Sequence, residues 1–175
     1  MELFRLTDRT HPLFDRAMAL YEAAFPVQER RDPAEHCRVL KKADYHMDLL
    51  MEGRDFLGIV LYWETADFVH LEHFSTLPQL RGQGLGTKAL ALLKSKEKPI
   101  ILEIEPPEDE LTCRRYGFYR RNGFVMNPHD HVQVKYRPND PDVPLNILTW
   151  PETITPEAYG AFRQYLDREV APKFR

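Results

Sequence analysis

The sequence predicts a mixed α+β fold in which one mostly antiparallel sheet is flanked by helices. Two strand-like runs at 45–52 and 56–64 are separated by Gly53-Arg54-Asp55 alone, which is typical of a β-hairpin. A helix-length segment joins the runs at 68–76 and 99–105 and is long enough to make that pair parallel. The 175 residues suit a single domain.

The amino-terminal part is expected to form one strand and two helices. Residues 2–6 alternate as a short strand does. Apolar residues then recur at helical spacing over 13–25, and Pro26 ends that helix because proline cannot continue its hydrogen bonding. A shorter helix follows over 33–42, ahead of the hairpin.

The second half continues the alternation of helices and strands. A helix with one apolar side follows the glycine-rich stretch that ends at Gly86. In the strand at 100–105, Ile100, Leu102 and Ile104 share one face, which turns Glu103 and Glu105 to the other. The remaining predicted elements are a helix closed by Gly123, strands at 131–136 and 145–150, and a last helix that begins at Thr155-Pro156. The closing strand and helix occupy about 144–171.

Composition excludes several classes of protein. The net charge is −3, and lysine and arginine occur in scattered pairs without a stripe that follows a phosphate backbone, so no nucleic-acid partner is expected. No run approaches the ~18 apolar residues that span a bilayer, and the amino terminus lacks the pattern of a secretory signal. Cys37 and Cys113 lie in unrelated contexts and are expected to be reduced thiols. A cytoplasmic protein without a membrane partner is expected.

The stretch LRGQGLGTKAL at 80–90 is the first functional signal. A nucleotide-triphosphate loop needs a lysine directly after its last glycine, and here Thr87 precedes Lys88. The same threonine stands where a dinucleotide-binding fingerprint has its third glycine. A simple turn is one interpretation. The position between a strand and a helix favours another, because free N–H groups at a helix start bind anions such as a pyrophosphate.

Three motifs resemble the GNAT superfamily of acetyl-CoA-dependent N-acetyltransferases. Residues 81–86, RGQGLG, are similar to the R/Q-x-x-G-x-G/A signature whose loop holds the coenzyme pyrophosphate. FYRRNGF at 118–124 resembles the FYxxxGF segment, and FPVQERR at 25–31 resembles the FPxxER segment of many members. The resemblance covers most of the chain. It implies a sheet with helices on both faces that splays open between the strands at 68–76 and 99–105.

The resemblance also implies acetyl-CoA as the cosubstrate. The backbone at Phe74, Ser75 and Thr76 is expected to pair with the pantetheine amides as a strand would. The implied coenzyme contacts are these three residues with Arg81, Gly82, Gln83, Gly84, Leu85, Gly86, Thr87, Thr112, Arg115 and Tyr119. Thr112 stands where many members carry an asparagine that contacts the pantetheine. His129-x-His131 has the spacing of a chelate, but no third ligand is in reach, so no metal is expected.

Acetyl transfer needs a base for the amine and an acid for the leaving thiolate. An amine with a pKa of ~10.4 is almost entirely protonated at neutral pH and must lose a proton before it attacks. Glu103, which matches a base of some members, is the first candidate and Glu72 the second. Glu105 shares the face of Glu103, and water alone serves in some members. The resemblance implies that Tyr119 protonates the thiolate, which suits a phenol that stays protonated at neutral pH.

The acceptor site is implied to lie between the splayed strands and the first two helices. Glu29, Tyr21 and Trp63, with Tyr45, are candidates to line an acidic, aromatic pocket for a cationic amine. The expected activity is direct transfer of an acetyl group, in a ternary complex, to a primary amine of a small molecule. Two alternatives stay open: a protein amino terminus or lysine as the acceptor, and a catalytically silent acyl-CoA sensor. Exposed strand edges permit a homodimer.

Overall fold

The computed structural model describes residues 1–172. The chain divides into two compact units, one formed by residues 1–100 and one that begins at Ile101. Each unit contains both strands and helices, so the mixed α+β fold predicted from the sequence is confirmed. None of the helices within this described part of the chain is long and apolar enough to cross a bilayer.

The first unit is an antiparallel sheet with three helices. Its elements are β1 (Glu2–Leu6), α1 (Phe14–Ala24), α2 (Pro33–Val39), β2 (Tyr45–Glu52), β3 (Asp55–Glu64), β4 (Val69–Thr76) and α3 (Leu85–Lys94), with single 3₁₀ turns at Val27–Glu29 and Pro78–Leu80. The strands pair in chain order, each antiparallel to the next. The predicted hairpin is therefore confirmed as β2 and β3.

The centre of this sheet is β3, whose residues 56–63 are all buried. An unbroken apolar run of this kind is typical of a strand covered on both faces. The strand passes so close to β4 that a Cβ atom on Gly58 would lie 2.4 Å from the carbonyl oxygen of Ser75. Helix α1 packs against β3 and β4, and α3 packs against β4. Glycine at position 58 is thus required by the spacing of the two strands.

Local sequence signals account for the limits of the first helices. Helix α1 ends just before Pro26, as predicted. Helix α2 begins after Asp32, whose carboxylate accepts a hydrogen bond from the amide of Glu35 at 2.8 Å. The sequence predicted that α2 ends at Lys42, but it ends at Val39. The chain forms a turn there, in which the Lys42 amide donates a hydrogen bond to the Val39 carbonyl at 2.9 Å.

The second unit is built around β8. Its elements are β5 (Ile100–Ile104, which starts at the last residue of the first unit), α4 (Glu110–Arg121), β6 (Val125–Met126), β7 (His131–Val132), β8 (Pro144–Trp150), α5 (Pro156–Tyr165) and a π-helical turn at Leu166–Val170. Strands β6 and β7 both pair antiparallel with β8. The apolar side of the last helix is buried at Phe162 and Tyr165, which anchors α5 in this unit.

Two details of the second unit differ from the sequence prediction. The strand expected over 131–136 is only two residues long, because its partner begins at Pro144 and follows a proline-rich loop that has few N–H donors for a ladder. Strand β6 was not predicted, since two residues are too few to show an alternation.

Candidate active site

The glycine-rich loop exposes its backbone to solvent. Gly82 and Gly84 have φ angles of 81° and 74°, in the left-handed region that favours glycine. A Cβ atom on either residue would have no atom within 4 Å, and residues 82–84 are all exposed. The main chain of this loop is therefore accessible to a ligand.

The loop leads into a helix that begins without a side-chain cap. Helices α2, α4 and α5 are capped by Asp32, Asp109 and Thr155, each of which accepts a hydrogen bond from a first-turn amide. The N-cap residue of α3 is Gly84, which has no side chain that could accept such a bond. The first amides of α3, at 85–87, thus have no capping side chain, and they lie at the positive end of the helix dipole. Both features favour the binding of an anion at this position.

The strand before the loop has its end fixed by β3. Phe74, Ser75 and Thr76 pair with residues 58–60, and the next amide, of Leu77, donates to the Leu57 carbonyl at 2.9 Å. The backbone of β4 is thus held in an extended conformation up to the 3₁₀ turn at Pro78–Leu80, which precedes the glycine loop.

Tyr119 lies on α4 with its ring packed against two aromatic neighbours. The ring centroids of Phe118 and Phe124 are 5.1 and 5.6 Å away. Burial raises the pKa of Tyr119 to about 12, partly offset by the positive charge of Arg115. Within residues 1–172 its hydroxyl group makes no hydrogen bond. Tyr119 is therefore a protonated phenol at neutral pH, with its donor available.

Glu103 points away from the apolar face of β5, as predicted, and meets a histidine. Its Oε1 atom lies 2.5 Å from Nε2 of His131. The histidine side chain is completely buried, whereas 13% of the glutamate side chain is exposed. His129, the other histidine of the chelate-like pair, stacks on Tyr159 with centroids 4.4 Å apart. Across the described residues no group of three metal-binding side chains occurs.

Glu72 belongs to a buried ion pair. Its Oε1 atom lies 2.6 Å from Nη1 of Arg31, and both side chains are almost fully shielded from solvent, with 3% and 0% exposed. Its Oε2 atom accepts a hydrogen bond from the indole N–H of Trp63 at 2.8 Å. The guanidinium of Arg31 also lies over the rings of Tyr45 and Trp63. The second candidate base is thus held as a carboxylate inside the first unit.

The aromatic residues expected to line the acceptor pocket surround this ion pair. Tyr21 and Trp63 are 1% and 0% exposed, and the hydroxyl of Tyr21 accepts a hydrogen bond from the amide of Arg31 at 3.1 Å. Burial, with the negative charge of Glu72, raises the pKa of Tyr21 to about 12. Glu29 is only partly buried, and its carbonyl accepts a hydrogen bond from Nε2 of His73 at 2.7 Å. Tyr21 and Trp63 are therefore buried around the ion pair of the first unit, and their role in lining an acceptor pocket stays a prediction.

Two of the implied coenzyme contacts on α4 have other partners in the structure. The Thr112 hydroxyl accepts from the amides of Glu108 and Asp109 and reaches the Asp109 carboxylate at 2.9 Å, completing the helix cap. These bonds use the hydrogen-bonding capacity of a hydroxyl group, so the structure favours a structural role for Thr112 over a contact with pantetheine. Arg115 forms an ion pair with Glu105.

Comparison with known proteins decides the family. The model of the acetyltransferase (GNAT) family matches residues 11–124. The chain belongs to the GNAT family. A GNAT structure from Bacteroides thetaiotaomicron is 26% identical, covers 99% of this chain and 100% of its own, and superposes with a TM-score of 0.92, which confirms the predicted fold.

Two further similar proteins carry the name of an acetyltransferase, the first similar in sequence and the second in fold. YjbC of Bacillus subtilis (strain 168), assigned to the acetyltransferases, is 38% identical over 104 residues, which are 57% of this chain and 52% of YjbC. The chain thus spans about half the length of this curated relative. An aminoglycoside 6'-N-acetyltransferase complexed with coenzyme A is 17% identical, covers 89% of this chain and 98% of its own, and has a TM-score of 0.59.

The GNAT motifs contain the glycine loop and Tyr119, but they do not predict the contacts that Arg31 and His131 make with the two candidate bases. In the sequence Arg31 belongs to one of several scattered basic pairs, although it also ends the FPVQERR segment. In the sequence His131 shows only the spacing of a chelate with His129. A histidine within a two-residue strand gives no signal of its own in a single sequence.

Proposed function

We propose that this GNAT protein transfers the acetyl group of acetyl-CoA to a primary amine of a small molecule, directly and in a ternary complex. The observation that carries the proposal is the start of α3, where two left-handed glycines expose the backbone and no side chain caps the helix. A diphosphate fits this site because it accepts several N–H bonds and is attracted by the helix dipole. The coenzyme A in the complexed relative agrees with such a ligand.

The coenzyme is proposed to contact the loop and the end of β4. Backbone amides over 82–87 bind the diphosphate, and the exposed side chain of Arg81 adds a positive charge beside them. The main chain of Phe74, Ser75 and Thr76 offers its polar groups to the pantetheine amides.

Glu103 is the better candidate for the base. Glu72 and its partner Arg31 are almost fully shielded from solvent, with 3% and 0% of their side chains exposed, so an amine has no path to that carboxylate. Glu103 retains an exposed part through which an amine, or a water molecule between them, can deliver a proton. The neutral amine then attacks the thioester carbonyl, forming the C–N bond as the C–S bond breaks.

Tyr119 is proposed to donate its phenolic proton to the departing sulfur. Its raised pKa of about 12 keeps the proton in place at every physiological pH. A thiol ordinarily has a pKa of ~8.5, so proton transfer to a fully solvated thiolate would be uphill, and it requires a departing sulfur that is shielded from water, because desolvation raises the pKa of a thiol. The hydroxyl group therefore donates a hydrogen bond to the departing sulfur, and this bond becomes stronger as negative charge develops on the sulfur.

The proposal is tested by following free thiol while the protein turns over acetyl-CoA with three kinds of acceptor. These are small primary amines, a peptide with a free amino terminus, and a lysine peptide with a blocked terminus. Thiol release with the small amines is expected. Release with the peptides alone would exclude the small-molecule acceptor. Thermal stabilisation by coenzyme A without any release would indicate a sensor.

Variants test the two proton-transfer residues. Tyr119→Phe should lower kcat by about 10²-fold with coenzyme A affinity retained, since an acid contributes only as the thiolate forms. Tyr116→Phe, on the same helix, is the matched control and should keep wild-type turnover. Glu103→Gln should lower kcat similarly, whereas Glu72→Gln should act mainly on stability. Wild-type kcat in Tyr119→Phe would remove the assignment of the acid.

A further inference from the structure

The second unit contains a continuous chain of hydrogen bonds that starts at the candidate base. Glu103 Oε1 lies 2.5 Å from His131 Nε2, and His131 Nδ1 lies 3.0 Å from the hydroxyl oxygen of Tyr159. That hydroxyl lies 2.8 Å from the backbone carbonyl of Asp130. We propose that His131, held by Tyr159, positions the carboxylate of Glu103 for proton abstraction. The inference rests on the proposed function.

The direction of each hydrogen bond follows from the donors available. A carbonyl oxygen only accepts, so the single phenolic proton of Tyr159 is donated to Asp130. The phenolic oxygen therefore accepts the N–H of His131 Nδ1. Two lone pairs would repel each other at 2.5 Å, so a proton lies between His131 Nε2 and Glu103. The orientation of the imidazole is thus fixed from both sides.

His131 and Glu103 differ in their exposure to solvent, and we infer different roles for them from this difference. The His131 side chain is completely buried, and its ring lies 6.3 Å from that of Phe162 in a stacked arrangement. It has no access to a substrate. Glu103 is the exposed end of the chain of hydrogen bonds. His131 therefore acts through Glu103 by fixing the carboxylate in one orientation, and the proton that Glu103 takes from the amine returns to solvent when the product leaves.

A pair of substitutions at position 131 separates this role from simple packing. His131→Leu removes the N–H that holds Glu103, and should lower kcat by about 10–100-fold because a misplaced base loses its alignment with the amine. The KM for acetyl-CoA should not change. His131→Gln returns an N–H close to the place of Nε2 and should recover most of the lost kcat. Equal kcat for the wild type and His131→Leu would overturn the inference.

A double variant tests whether His131 works through Glu103. In a Glu103→Gln protein the base is already absent, so adding His131→Leu should lower kcat no further. An undiminished further loss would show a general structural effect and overturn the inference. Tyr159→Phe removes only the hydroxyl and should reduce kcat by roughly 3–10-fold, an effect expected of a more distant positioning group. His129→Leu, which alters the stacked neighbour, is the control and should keep kcat within about twofold.

Nuclear magnetic resonance gives a readout that does not require turnover. The proton between His131 and Glu103 should produce a downfield imidazole signal that disappears in His131→Leu and moves in Glu103→Gln. Without such a signal the hydrogen-bond chain itself is refuted. A wild-type protein that shows the signal but releases no thiol with any amine would instead refute the proposed function, so the two failures are distinguishable.

Discussion

The buried pair of Arg31 and Glu72 gives the prediction with the largest effect on stability. Arg31→Met keeps much of the side-chain volume but removes the positive charge 2.6 Å from the Glu72 carboxylate, and with it the contacts to the Tyr45 and Trp63 rings. Breaking one partner of a buried pair costs about 3–5 kcal/mol, since the remaining charge stays in a medium of low polarity. For a chain of this length, that loss corresponds to a melting temperature lowered by roughly 6–20 °C.

Urea unfolding followed by circular dichroism measures this loss. Lys135→Met is the control, because Lys135 and Asp142 form a pair at 2.9 Å whose side chains are 40% and 75% exposed. An exposed pair of this kind contributes less than about 1 kcal/mol. The double variant Arg31→Met, Glu72→Met removes both charges together and should recover part of the stability that Arg31→Met loses, since apolar replacement of a buried pair is often nearly neutral.

Two results would refute this reasoning. A loss below about 1 kcal/mol in Arg31→Met would show that the buried carboxylate is solvated in solution. A double variant as unstable as the sum of the two single variants would show that the two charges are not coupled.

Three further predictions concern single residues. Gly84→Val should abolish the binding of coenzyme A, measured by calorimetry, because a branched side chain disfavours the φ of 74° and would keep a ligand away from the backbone. Gly160→Ala, at an open position in α5, is the control and should bind normally. Binding by Gly84→Val would contradict the prediction. Gly58→Ala should lower the unfolding free energy by roughly 1–3 kcal/mol, because its Cβ atom meets the Ser75 carbonyl, and an unchanged melting temperature would argue against that contact. Burial lowers the pKa of His36 from 6.5 to about 4. As the pH falls below 6.5, this histidine is therefore protonated in the unfolded chain but not in the folded one. The free energy of unfolding should fall by up to about 3 kcal/mol as the pH drops from 6.5 towards 4. His36→Leu should show a shallower dependence, and identical slopes would contradict the assignment.

The elements that the sequence predicted well are those whose signal is local. The apolar run in β3, the hairpin turn before it and the proline after α1 each act within a few residues, and the structure shows all three. The end of α2 and the two-residue strands β6 and β7 depend on which backbone groups find partners elsewhere, and periodicity carries no such information.

The same distinction applies to the candidate site. The glycine loop and Tyr119 lie in compact motifs, so their residues could be named in advance. The ion pair between Arg31 and Glu72 joins two distant segments, and Glu103 and His131 are 28 residues apart. No spacing rule links such pairs. The sequence also could not predict that Tyr21 and Trp63 are buried, because an aromatic side chain is as common in a protein core as in a pocket.

The connection between α1 and α2 combines firm anchors with a variable surface. Arg31 inserts its side chain into the core, and the Glu29 carbonyl is held by His73, while the side chains of Val27 and Gln28 are exposed. A library of variants at this connection would therefore randomise positions 27 and 28 and keep position 31 constant. Most members of such a library should still fold, which makes this connection a practical starting point for redesign.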